Sequence, residues 1–175
     1  MRMRPSALLL RRLVGETRGA TAIEFALVAL PLFIILFAIF EIAILFFIYA
    51  SLDGSLVRAA RLIRTGEAAA AGLNISQFKE KICQGLQLSF GCPQNLRVKV
   101  DIVSDLMAVA GTQPVTNGSF SIQESFDIGK GGDYIIVQAF LPWSRLADLY
   151  SLSSVRTAQD EYVIVSSTIF RNEAF

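Results

Sequence analysis

The chain has 175 residues, room for one membrane span and one domain of modest size. Hydrophobic residues make up 53%, above ordinary soluble usage, and the net charge of +1 offers no basic excess of the kind nucleic-acid binding needs. Histidine is absent, which excludes Ser-His-Asp and Cys-His catalysis and every histidine-containing metal site.

The first 19 residues carry Arg2, Arg4, Arg11, Arg12 and Arg18 against Glu16, so the charge is uneven, and the remainder is slightly acidic. An apolar run follows. From Phe25 to Tyr49 only Pro31 and Glu41 interrupt it. A bilayer core of about 30 Å takes roughly 20 apolar residues as a helix, so this run is long enough to span. It exceeds the roughly 7–15 residues of a cleavable secretory signal core. Beyond it, Leu52, Leu56, Ala59, Ala60 and Ile63 recur at helical spacing, with Arg58, Arg61 and Arg64 off that stripe. The pattern predicts one helix over about 20–65, spanning at 20–50 and amphipathic at 51–66, with Gly66 as its stop. The arginines before the span keep the N-terminus in the cytoplasm and put residues 67–175 outside the inner membrane. Pro31 reads as a proline tolerated within a span.

Asn74 and Gln77 form a capping-box pattern before a short helix over about 75–87, whose face is Ile75, Phe78, Ile82 and Leu86. Cys83 lies in that helix and Cys92 nine residues on. Two cysteines outside the cytoplasm read as a disulfide; the alternatives are a metal pair, which lacks companion ligands, and two buried free thiols. Alternation predicts strands at 96–102 and 119–126, and β-branched runs predict stronger ones at 133–141 and 161–170. Between them lie a loop at 111–118 with turn residues and a small helix near 144–150. The segment 127–133 holds two aspartates among glycines. Its lysine, Lys130, and its low acid density argue for a hairpin turn over a calcium loop. Sequons at Asn74 and Asn117 fit a short pattern. The sum is an α+β chain: a long N-terminal transmembrane helix continues into an amphipathic helix packed on a small antiparallel sheet.

Gly19, Ala20, Glu24 and Phe25, at the mouth of an apolar helix behind a basic leader, resemble the processing site of type IV prepilins. The pair Glu24-Phe25 is similar to that of the Flp (Tad) pilin branch. The chain also closes on Phe170, Arg171, Asn172 and Glu173, resembling the C-terminal motif of TadE-like pseudopilins, although Ala174 stands where a proline is expected. The resemblance implies that residues 1–19 are a leader removed by prepilin peptidase between Gly19 and Ala20. It also implies that Glu24 neutralises the newly freed amine, within one chain or between neighbours. The partners it implies are the peptidase, other Tad pilins and pseudopilins, an inner-membrane assembly platform and the lipid bilayer.

The reading that follows is a minor pilin-like subunit of a Tad/Flp pilus, with no catalytic residues, cofactor or metal. The alternatives are a type II secretion pseudopilin and an unprocessed membrane-anchored periplasmic binding protein. Serines, cysteines and acids are present, but no nucleophile and base have a recognisable spacing. Glu41 lies on a different helix face from Glu24, where another subunit or the outer headgroups could receive it.

Overall fold

The computed structural model describes residues 19–86, 92–103, 115–116, 119–143 and 162–175. A single helix, α1 (Ala20–Arg64), takes up the whole apolar run and its amphipathic continuation, with Pro31 inside it. Among the described residues it is the one helix long and apolar enough to cross a membrane. By contacts the chain falls into two units, Met1–Phe40 and Glu41–Phe175.

In the first unit, large apolar residues of the helix are exposed one after another from Ile23 to Phe40. Apart from buried Ala38 and half-buried Ala29, the side chains described in this unit are exposed on every side, which is the pattern of a helix apolar all round.

In the second unit, Leu52, Leu56, Ala59, Ala60 and Ile63 are buried and Arg58, Arg61 and Arg64 face outward, as the periodicity predicts. The packed stripe also reaches back into the apolar run, through fully buried Ile48 to half-buried Ile44 and Leu45. Complete burial of one such Leu or Ile side chain contributes about 1.5–3 kcal/mol. Gly66, at φ 79°, ends the helix in the left-handed region that favours glycine. A four-residue turn of helix, α2 (Glu67–Ala70), follows, and then α3 (Ile75–Gly85). The Asn74 side chain accepts from the Gln77 amide at 2.9 Å while the Gln77 side chain accepts from the Asn74 amide at 3.0 Å, closing the predicted capping box. Buried Phe78 and Ile82 then turn one face of α3 into the core.

The remaining strands are β1 (Arg97–Ile102), β2 (Val115–Thr116), β3 (Ser119–Phe120), β4 (Ser125–Phe126), β5 (Tyr134–Trp143) and β6 (Tyr162–Arg171). Four of them form one sheet in the order β4-β1-β5-β6, and β2 pairs with β3 separately. The expected antiparallel sheet is mixed. β1, β5 and β6 are antiparallel neighbours, but β4 lies parallel to β1, with Lys99 opposite Ser125. The cause is local. The strand predicted over 119–126 breaks at 121–124, where the Glu124 carboxylate itself accepts from the Val98 amide at 3.2 Å. A side chain takes a ladder position that backbone would fill, and only two residues beyond it pair with β1. The same Glu124 oxygen accepts from Lys79 at 2.9 Å, joining α3 to the sheet edge and partnering a lysine that is 9% exposed.

β5 is buried on both faces. Ile135, Val137, Ala139 and Leu141 join the core beneath α1, while Ile136, Gln138 and Phe140 are buried on the other side. That explains its continuous apolar run, in contrast to the alternation of β1. The small helix predicted near 144–150 and most of the loop at 111–118 lie outside the described residues.

Candidate functional site

Two places hold the residues singled out in the sequence. The first is the start of α1. Gly19 immediately precedes the helix and Ala20 opens it. Among the described residues a side chain built at Gly19 would meet nothing within 4 Å, and its backbone is outside the left-handed region. The described part of the fold therefore does not require glycine there. Glu24 is exposed, as is Phe25 at 72%. Glu24 stands four positions after Ala20, so the carboxylate lies on the same helix face as the helix's first backbone nitrogen.

The second place is the C-terminal motif, and here the structure supplies what sequence could not. Phe170, half-buried, packs against the core. The Arg171 Nε donates to the Gly132 carbonyl at 2.9 Å, and its guanidinium lies 5.8 Å from the centre of the Tyr134 ring. Asn172 is 4% exposed, and its Nδ2 donates to the carbonyls of Ile128 at 2.8 Å and Lys130 at 3.1 Å. Its backbone continues the pairing, the amide donating to Asp133 and the carbonyl accepting from Gly132. The Glu173 amide donates to the Arg64 carbonyl at 2.9 Å, which supplies a partner to the exposed end of α1, and its carboxylate lies 3.3 Å from the Arg64 Nε. Phe175 covers Gly66 so closely that a Cβ there would fall 2.5 Å from its ring.

The four-residue motif is thus a clasp. It ties the last strand to the glycine loop 127–133 on one side and to the last turn of α1 on the other. The backbone approaches equally closely at Gly131, where a Cβ would lie 2.9 Å from the Glu173 carbonyl. Sequence reasoning named the motif without its purpose. Gly66, Gly129 and Gly132, all at positive φ, were the available signal for close backbone approach.

The loop 127–133 is a turn, but not the hairpin expected. It leads from β4 to β5, which flank β1 on opposite sides. Its two aspartates are committed to its own backbone: Asp127 accepts from the Gly129 amide at 3.1 Å and Asp133 from the Lys130 amide at 2.8 Å. Among the described residues no group of three or more histidine, cysteine or acidic side chains is placed to hold a metal.

Cys83 and Cys92 form the disulfide, with Cα atoms 5.8 Å apart and both residues half-buried against the core. It fastens the last turn of α3 to the segment that enters β1. Glu41 is buried, at 6% exposure. Of the arginines beyond the apolar run, Arg58 reaches across to the Gly85 carbonyl at 3.1 Å, a cation on the C-terminal end of α3. This contact escaped the sequence reading because it joins residues 27 apart.

Residues 19–61 match the model of the family described as TadE-like protein. No curated protein and no solved structure matches the chain. The matched segment contains Gly19, Glu24, Phe25 and the whole apolar run, so over residues 19–61 the chain is similar to the TadE-like family.

Proposed function

We propose that this chain is a minor pilin-like subunit of a Tad/Flp pilus machine. Residues 1–19 form a basic leader, the apolar part of α1 spans the bacterial inner membrane with its N-terminus in the cytoplasm, and the disulfide-bonded domain lies in the periplasm. Prepilin peptidase cuts between Gly19 and Ala20. The subunit is this peptidase's substrate and has no catalysis of its own; it works with other Tad pilins and the membrane assembly platform.

The observation that carries this reading is the match over residues 19–61, which begins at the glycine where the cut is proposed. The geometry there supports it. The described residues impose no steric need for glycine at 19, which fits a role toward an enzyme that must approach that bond. Cleavage leaves an ammonium on Ala20 at the edge of an apolar phase, where an unpaired charge costs several kcal/mol. Glu24, exposed and on the same face, is available to that ammonium in its own chain or in the subunit ahead of it. The disulfide supports a periplasmic domain, since such bonds persist in oxidising compartments.

Removal of the gene from a piliated cell tests the proposal. Surface pili are expected to disappear and to return with the wild-type chain, while export of type II secretion substrates continues. Unchanged piliation with failed secretion would reassign the chain to the other machine. Replacing Glu24 with alanine is expected to spare cleavage yet leave piliation unrestored.

A further inference from the structure

The two ends of the β5–β6 pair differ in chemistry. At one end Tyr134 faces Arg171 in register, beside the glycine loop and the charged end of α1. At the other, Trp143 faces Tyr162. Next to that second end an apolar groove of about 270 Å³ opens, lined by Ile42, Leu45, Phe46 and Tyr49 of α1 and by Tyr162 and Ile164 of β6. Phe46 is 69% exposed and Tyr49 47%. Together these put one tryptophan, two tyrosines and an apolar groove at the same end of the domain.

We propose that before assembly this end is seated in the outer leaflet, with Tyr49, Trp143 and Tyr162 at headgroup level and a phospholipid acyl chain in the groove. The inference rests on the membrane-spanning reading of α1. Counted from Phe25, the roughly 20 residues that fill a bilayer core end near Ile44. Burial on α1 has already begun by then, at Glu41, and packing against the core follows at Ile44 and Leu45, so the apolar run is part of the fold before it ends. The strand end that packs beside these residues must then lie at the membrane surface. Tryptophan and tyrosine favour that layer because their rings are apolar and their polar groups stay hydrated. The helical side of the groove, Ile42 to Tyr49, belongs to the apolar run itself, so on the membrane-spanning reading a molecule filling the surrounding bilayer can enter it. The opposite end, with Tyr134, lies about 30 Å away along β5, at roughly 3.3 Å per residue, and projects into the periplasm.

Trp143 is the chain's one tryptophan and reports on this directly. The full chain would be reconstituted in vesicles of phosphatidylethanolamine and phosphatidylglycerol carrying bromine either near the glycerol end or near the methyl end of the acyl chains. Emission from Trp143 is expected to be quenched strongly by the shallow bromines, less by the deep ones, and little by aqueous iodide. In the variant Trp143→Phe with Tyr134→Trp, whose altered site is 56% exposed in the parent, iodide should quench and brominated lipid should not. Integration is scored separately, by resistance of the chain to alkaline extraction. An integrated chain whose Trp143 responds to iodide and ignores bromine overturns the seating while leaving the span intact. Protection from both quenchers that rises with protein density would give the groove to a second copy, and would also overturn it. A chain that washes out removes both readings.

Discussion

From Ile23 to Phe40, α1 exposes large apolar side chains all around its circumference; from Leu52 to Ile63 most of its apolar residues fall in a buried stripe, with Val57 left exposed. Composition already separates these regions, since Asp53, Ser55, Arg58 and Arg61 interrupt the second and only Glu24 and Pro31 the first. Periodicity gives the reason. A helix apolar on every side has no polar face to offer water and needs an apolar solvent, whereas a stripe needs only one packed partner. Ile48, Ile44 and Leu45 show that the change falls inside the continuous apolar run, about one turn or two before the polar residues announce it.

The contrast is broken most severely by removing volume from each region in turn. Leu56→Ala, at a fully buried site, should cost about 2–5 kcal/mol of domain stability, measured by denaturant unfolding. Leu27→Ala, at a site 71% exposed, should leave that midpoint unchanged. Equal effects would mean that the two regions are not distinguished by packing. Next, Cys83→Ser with Cys92→Ser should lower the same midpoint by roughly 2–3 kcal/mol, because a short closed loop is released in the unfolded chain. A smaller effect is expected at the helix end. Gly66→Ala forces a side chain into the left-handed region and against Phe175, at about 1–3 kcal/mol. In the same helix, Gly54→Ala meets only the Arg58 guanidinium at 3.4 Å and should stabilise by up to about 1 kcal/mol. The smallest effect is that of Asn74→Ala, which removes the cap of α3 and should cost ~1 kcal/mol.

What could be read in advance follows physical range. The stripe of α1, the capping box at Asn74 and Gln77, and the limits of β5 to within two residues rest on local periodicity and short-range hydrogen bonding, which neighbouring residues determine. The cysteine pairing was legible because only two cysteines exist. The parallel placement of β4 was not legible, because it depends on Glu124 reaching the Val98 amide and Lys79 from distant positions in the chain. The purpose of the C-terminal motif was likewise hidden. Asn172 meets carbonyls more than 40 residues away, and Glu173 meets the end of a helix more than 100 residues earlier. At the start of α1 the legible residues are clear and the fold adds little, since their proposed chemistry involves an enzyme and neighbouring subunits.

That chemistry is tested most directly by the mass of the N-terminal peptide, taken from cells with and without their prepilin peptidase. The account predicts a chain that starts at Ala20 when the peptidase is present and keeps Gly19 and the arginines when it is absent. Full-length leader persisting at undiminished abundance in cells that trim their other prepilins would contradict it.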